Sequence, residues 1–199
     1  MTSLAKLREF GRGQSVAERC ELCSAALDAG HAHLVEPATR RLLCACRACG
    51  VLFSARGLSS RYARVPRDSR HLANFQLTDA EWDALMIPID MAFFFYSTPP
   101  GKVVAIYPGP AGATESLLSL GAWEQIAENN PDLSSMEPDV EALLVNRVSA
   151  ERQYFIAPVD QCYKLVGLIR TRWRGFSGGP DVWEQIHTFF AELKEQARA

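Results

Sequence analysis

The sequence lacks an apolar run long enough to cross a lipid bilayer. Its most apolar stretch, residues 86–96, contains Pro88 and Asp90, and it is far shorter than the roughly 20 residues that a membrane helix requires. The amino terminus interrupts its apolar pattern with charges, which is not typical of a secretory signal. We therefore expect a cytoplasmic protein with no membrane span.

The chain also lacks a compositional bias. Hydrophobic residues make up 48% and charged residues 22% of its 199 residues, which excludes disordered and fibrous classes. The net charge of −2 conceals an asymmetry, because residues 1–75 hold 12 Lys/Arg against 6 Asp/Glu and residues 76–199 hold 9 against 17. The excess of positive charge in residues 1–75 is small for a nucleic-acid-binding protein, so a protein partner is favoured over nucleic acid.

Sequence motifs of common enzyme classes are missing as well. The Gly-rich segment 108–116 has neither the Lys-Ser/Thr ending of a phosphate-binding loop nor the GxGxxG of a dinucleotide site, so we interpret it as a tight connection. Cys162 has no obvious base, and a buried thiol is the better interpretation. No nucleophile, base and orienting group can be assembled, so no catalytic residue is predicted and a non-catalytic role is favoured.

The chain does contain two CxxC pairs. Cys20 and Cys23 form the first, Cys46 and Cys49 form the second, and 22 residues separate them. Each pair can present two thiolates to one ion at about 2.3 Å in tetrahedral geometry, and paired spacing of this kind is typical of zinc ribbons. The sequence therefore predicts a structural zinc site at these four residues.

Several features around the site allow more than one interpretation. Four thiolates also suit iron, so iron is the alternative metal. Cys44 lies two residues before Cys46 on a predicted strand, where it either approaches the metal or is a small buried apolar group, the second being favoured. His31 and His33 share a strand face, and we interpret them as exposed rather than ligating. Gly50 is expected to supply a positive φ.

The fold class predicted is α+β, with a zinc-ribbon-like β-hairpin module followed by a larger domain with antiparallel strands and a carboxy-terminal helix. Four segments are expected. They are an amino-terminal arm at 1–18, the module at 19–56, a basic connector at 57–76 and the α+β domain at 77–199.

Individual elements follow from local patterns. Thr78 and Glu81 have the spacing of a capping box. Strand pairs are predicted at 90–96 with 102–107 and at 140–148 with 153–159. Helices are predicted at 117–129, after Asp160 as the cap, and from Pro180. Arg172, Trp173 and Arg174 precede a Gly-rich loop and can contact a partner or an anion, although a helix end with favourably placed cations is the favoured interpretation.

The segments CELC, LLCACRACGVLF, YPGPAGATES, PDVEALL, PVDQCYKLVGLIR and WRGFSGGPDVW together resemble an uncharacterised bacterial family. The resemblance covers nearly the whole chain. Members of that family are often encoded near uptake [NiFe]-hydrogenases, so the resemblance implies an accessory role with a hydrogenase subunit or maturation factor as partner. It implies no catalytic residue.

Three functions remain as hypotheses. The first is a non-catalytic metal-binding accessory protein that assists a [NiFe]-hydrogenase through protein contacts. The second is a rubredoxin-like electron carrier with iron in the same four thiolates. The third is a nucleic-acid-binding zinc-ribbon protein whose phosphate contacts come from arginines of the basic half. These are Arg56, Arg61, Arg64, Arg67 and Arg70.

Overall fold

The described part of the computed structural model, residues 18–53, 61–116, 120–149 and 151–197, contains two antiparallel sheets and five α-helices. The strands are β1 (Ala32–Glu36), β2 (Arg41–Ala45), β3 (Ala63–Arg64), β4 (Arg70–His71), β5 (Met91–Ser97), β6 (Lys102–Gly109), β7 (Gly112–Ser116), β8 (Glu141–Asn146) and β9 (Gln153–Pro158). The helices are α1 (Arg47–Leu52), α2 (Asp79–Ala84), α3 (Leu120–Asn129), α4 (Val159–Arg172) and α5 (Pro180–Gln196), with a 3-10 turn at Pro131–Ser135. The predicted α+β class is confirmed.

The large sheet has the strand order β4-β9-β8-β5-β6-β7 and is covered by helices on both faces. Phe93 and Phe95 of β5 pack in a core with α4 and α5, whereas Phe94, between them, packs in a second core with α2 and α3. Alternation of side chains along each strand produces these two faces. Because both faces are covered, β5 and β8 are almost wholly apolar.

The small sheet has the order β2-β1-β3 and begins with the predicted hairpin. Residues Glu36 and Arg41 form the last pair before its turn. Leu34 belongs to a small core within this sheet, whereas Val35 belongs to the core beneath α4 and α5. The hairpin therefore contacts its own cysteine-containing core on one face and the large sheet's core on the other.

Two strands lie within the predicted basic connector. β3 pairs with β1 of the small sheet, and β4 pairs with β9 at the edge of the large sheet. The two are separated by five residues, so this segment links the two sheets directly. The boundaries of the four sequence segments stay predictions, and residues 1–17 of the predicted arm lie outside the described residues.

Several local predictions are confirmed, whereas those for the Gly-rich segment 108–116 and for the Asp160 cap are wrong. Both strand pairs are present, and α5 begins at Pro180 as expected. The Gly-rich segment continues β6 and, after a tight turn, forms β7, which the sequence did not predict. Its strand residues Ala113, Thr114 and Glu115 are exposed at the sheet edge, so they lack an apolar alternation.

Asp160 does not cap α4, because Pro158 occupies that position without a side-chain cap. The carboxylate of Asp160 lies in the first turn and accepts from His33 instead, with Oδ2 2.7 Å from Nδ1. The prediction therefore placed Asp160 correctly near a helix start, but the capping bond that it predicted is wrong.

None of the described helices combines the length and the apolar character needed to cross a membrane.

The capping box of α2 provides a test of the fold. Thr78 accepts from the Glu81 amide at 3.2 Å, and the Glu81 carboxylate accepts from the Thr78 amide at 2.7 Å. We predict that Thr78→Ala lowers the free energy of unfolding by about 1 kcal/mol, measured by urea denaturation. Thr188→Ala is the matched control because Thr188 is exposed inside α5 and bonds only its own helix's Glu184 carbonyl. Its replacement should be neutral or slightly stabilising, and an equal loss at both sites would contradict the cap.

Candidate metal centre

The first cysteine pair lies in a tight loop that precedes β1. The Cys20 amide donates to the Ala25 carbonyl at 2.8 Å, and the Ser24 amide donates to the Cys20 carbonyl at 2.8 Å. Ser24 has a φ of 63°, so the chain reverses just after Cys23. This turn directs both sulfurs of the pair to the same side of the loop.

Glu21 joins this loop to the end of β2. Its amide donates to the Cys44 carbonyl at 3.0 Å, and its carboxylate accepts from the Cys44 amide at 2.7 Å. Arg41 donates to the other carboxylate oxygen at 2.7 Å. Burial opposes ionisation of Glu21, but the Cys44 amide and Arg41 lower the pKa of this carboxyl below its ordinary value. The first pair is thereby fixed beside the strand that leads to the second pair.

The second pair lies where β2 ends and α1 begins. Cys46 is the N-cap of α1, and its sulfur accepts from the Cys49 amide at 3.5 Å. The Gly50 amide donates to the Cys46 carbonyl at 2.8 Å. The short helix therefore holds the sulfurs of Cys46 and Cys49 on one side of its first turn.

The four sulfurs of the predicted site converge. One sulfur each from Cys20, Cys23, Cys46 and Cys49 lies within 4.8 Å of every other, and Cys23 and Cys46 are 3.6 Å apart. That separation is too long for a disulfide. It is close to the spacing of about 3.8 Å that tetrahedral coordination at 2.3 Å imposes. The geometry fits one tetrahedral cation, and it does not distinguish zinc from iron.

The pKa values of these thiols favour the binding of a cation. Burial opposes ionisation of Cys20, but backbone hydrogen bonds involving Cys46, Leu22 and Cys23 lower its pKa to about 6. Burial and the neighbouring sulfurs raise the pKa of Cys49 well above its ordinary value. One sulfur is thus ready to ionise, and its charge disfavours ionisation of the next. A divalent ion removes this conflict because it stabilises all four thiolates together.

The core around the site is small and includes cysteines of the site itself. Its buried members are Cys20, Leu34, Leu43, Ala45 and Cys49. Two of these five are cysteines of the site, and the side chains that pack against them while only partly buried are Leu22, Leu27, Cys46, Phe53 and Tyr62. A metal ion bound by the four cysteines would therefore add to the folding free energy of this small region.

Cys44 does not join the four sulfurs but lies with His31 and His33. The prediction that Cys44 shares a face with Cys46 is wrong because β2 ends at Ala45 and Cys46 begins the helix turn. The prediction that the histidines are exposed is also wrong. The side chain of His31 is 9% exposed and that of His33 is 27% exposed. Alternation in β1 places His33 on the face that packs against the large domain.

Gly50 is required for a different reason than predicted. It has no positive φ, which occurs instead at Ser24 after the first pair. A Cβ added at Gly50 would lie 2.9 Å from the Cβ of Ala32. The glycine therefore allows α1 to approach β1 closely.

Arg172, Trp173 and Arg174 lie at the end of α4, far from the four cysteines along the sequence. Arg172 lies 3.6 Å from Asp181, and the Trp173 indole donates to the Gly175 carbonyl at 2.8 Å. These contacts fit the favoured interpretation as a structured helix end. A role in binding a partner or an anion stays a prediction.

Exposed apolar side chains beside the four cysteines are a feature that no sequence pattern predicted. Val51 and Leu52 follow Cys49 on α1 and are 57% and 58% exposed. Residues 51–53 form a continuous apolar run, which usually indicates burial, so no local pattern places Val51 and Leu52 at the surface. Adjacent exposed apolar side chains are a feature of protein contact sites.

The family profile of DUF5947, a family of unknown function, matches residues 19–197. The match includes both CxxC pairs and both sheets. No curated protein and no solved structure matches the chain.

Cys46→Ser is predicted to remove the tightly bound metal. Its loss should leave residues 19–53 loosened while the large sheet survives, because the small core depends on coordination. Metal content by elemental analysis and amide hydrogen exchange measure the two effects. Cys44→Ser is the control and should retain the metal. If Cys44→Ser loses the metal and Cys46→Ser keeps it, the assigned ligand set is wrong.

Gly50→Ala is predicted to destabilise the metal region by about 1–3 kcal/mol because its Cβ would overpack Ala32. Thermal denaturation and the rate of metal loss to a chelator measure the effect. Gly167→Ala is the control because that helical position is exposed and its Cβ would contact nothing within 4 Å. The control should be stabilising by up to about 1 kcal/mol. Stabilisation by both changes would refute the close approach of α1 and β1.

Proposed function

Because the chain belongs to the DUF5947 family, whose function is unknown, we propose a role from its own geometry: it is a non-catalytic, zinc-binding accessory protein that acts through protein contacts. The observation that carries this proposal is the convergence of four cysteine sulfurs within 4.8 Å. A site with four protein ligands has no open position for a substrate. The metal is then structural, and function lies on the surface that it stabilises.

The surface beside the metal supports a docking role. Val51 and Leu52 are exposed on α1, within one helical turn after Cys49. Metal coordination fixes the start of this helix through Cys46 and Cys49, so the position of both apolar side chains depends on the ion. The partner that we propose, from the family resemblance, is a [NiFe]-hydrogenase subunit or maturation factor.

The nucleic-acid hypothesis receives less support from the arginines. Arg61 pairs with Glu36 at 2.7 Å, Arg67 donates to the Gly30 carbonyl at 2.6 Å, and Arg70 donates to Ser135 at 2.8 Å. Arg56 lies outside the described residues. Three of the five arginines therefore have bonds within the protein, which weakens the case for phosphate contacts.

Identification of the bound metal decides between the zinc proposal and the iron alternative. Protein purified in air should be colourless and contain one tightly bound zinc per chain. Red protein with stoichiometric iron would instead support the rubredoxin-like carrier, because ferric thiolate sites absorb visible light. Elemental analysis with an absorption spectrum separates the two outcomes.

The docking proposal is tested by co-purification with tagged hydrogenase subunits and maturation proteins from a host that makes them. The wild-type chain should be recovered with one of them, and Leu52→Glu should lower recovery at least severalfold while retaining the metal. Met86→Glu is the control because Met86 is also apolar and 75% exposed but lies far along the chain after α2. Repeated absence of every hydrogenase component from the wild-type sample would reject this partner.

A further inference from the structure

A second group of metal-binding side chains lies on the other face of the same hairpin. His31, His33 and Cys44 each place one potential ligand atom within 4.8 Å of the other two. His33 and Cys44 are directly opposite in the β1–β2 register. Leu34, Leu43 and Ala45 alternate with them along the two strands and belong to the core of the four-cysteine site. The two groups therefore occupy opposite faces of one two-stranded unit.

His31 contains a buried nitrogen without a partner. Its Nδ1 lies 2.9 Å from the Asp28 carbonyl, which can only accept, so Nδ1 carries the hydrogen. Nε2 is then a lone-pair acceptor. Its side chain is 9% exposed, and no described residue forms a hydrogen bond with Nε2. Buried polar atoms are rarely left unsatisfied, and a cation is a suitable partner for this lone pair.

His33 is oriented in the same way by a carboxylate. Its Nδ1 lies 2.7 Å from Oδ2 of Asp160, and the other oxygen of Asp160 accepts from the Gln161 amide at 2.7 Å. The carboxylate is thus fixed from two directions. Histidines that bind metals commonly donate their other ring nitrogen to a carboxylate or a backbone carbonyl, which fixes the tautomer. His31 and His33 show one example of each.

We propose that His31, His33 and Cys44 form a second, weaker site for Zn²⁺, with Nε2 of both histidines and the sulfur of Cys44 as ligands. Two imidazoles and one thiolate suit a borderline-soft divalent ion. Three protein ligands leave one position for water or a further ligand. This site therefore differs from the closed four-cysteine centre in binding an exchangeable ion.

Cys44, His33 and Asp160 are the residue types of a Cys-His-carboxylate catalytic set, but their geometry favours a metal site. Within the described chain, the Cys44 sulfur has no hydrogen bond with His33. The Cys44 amide is bonded to Glu21 at 2.7 Å, so it cannot stabilise an oxyanion. Catalysis also gives no role to His31, whose buried Nε2 the metal site explains.

The test uses full-length protein without a histidine tag, titrated with Zn²⁺ against a chromophoric chelator. The wild-type chain should bind two equivalents, the first more tightly. His31→Ala and Cys44→Ser should each bind one equivalent and keep the tight site. His187→Ala is the control, since His187 is exposed on α5, and it should bind two.

Unchanged circular dichroism and retention of the first equivalent show that a variant is folded. Asp160→Asn provides a milder change, and loss of an outer carboxylate should weaken the second site roughly 10–100-fold without affecting the first. Co²⁺ bound in the second site should give a weaker sulfur-to-metal absorption than Co²⁺ in the first, because only one thiolate contributes. A wild-type chain that binds a single equivalent, or a second equivalent that persists in both His31→Ala and Cys44→Ser, would overturn the proposal.

Discussion

Four cysteine sulfurs that share one small volume are the constraint on which the folding of residues 19–53 depends. Ionisation of one thiol there makes ionisation of its neighbours unfavourable. A divalent cation bound there would reverse this relation and join the loop of Cys20 and Cys23 to the helix start of Cys46 and Cys49. Glu21 adds a second link between the same two segments through the amide and carbonyl of Cys44. Coordination and hydrogen bonding thus act on the same junction.

The hairpin connects this metal-dependent region to the larger sheet. Leu34 packs beside the cysteines, whereas Val35 packs in the core beneath α4 and α5. His33, on the same face as Val35, is bonded to Asp160 at the start of α4. The metal region is therefore attached to the α+β domain by apolar packing and by a polar contact.

The features that could be predicted from the sequence are those determined over short distances. CxxC spacing predicts which four sulfurs converge, because two intervening residues let both thiolates of a pair approach one ion. The capping box at Thr78 and the start of α5 at Pro180 are equally local. Strand pairs β5–β6 and β8–β9 follow from apolar runs separated by turn residues.

The missed features depend on distant contacts or on where an element ends. β7 has exposed polar residues because it is an edge strand, so no pattern marks it. Cys44 could not be separated from Cys46 without knowing that β2 stops between them. Asp160 contacts a histidine far away along the chain, and no local rule predicts that bond. Gly50 is constrained by Ala32 on another element, which spacing within the CxxC motif does not reveal.

The central claim is that all four converging cysteines bind one ion. X-ray absorption at the edge of the tightly bound metal tests it most directly, since the nearest shell reports both ligand type and distance. We expect four sulfur atoms at about 2.3 Å from zinc. A folded protein with no tightly bound metal, or a nearest shell made mainly of nitrogen and oxygen, would contradict it.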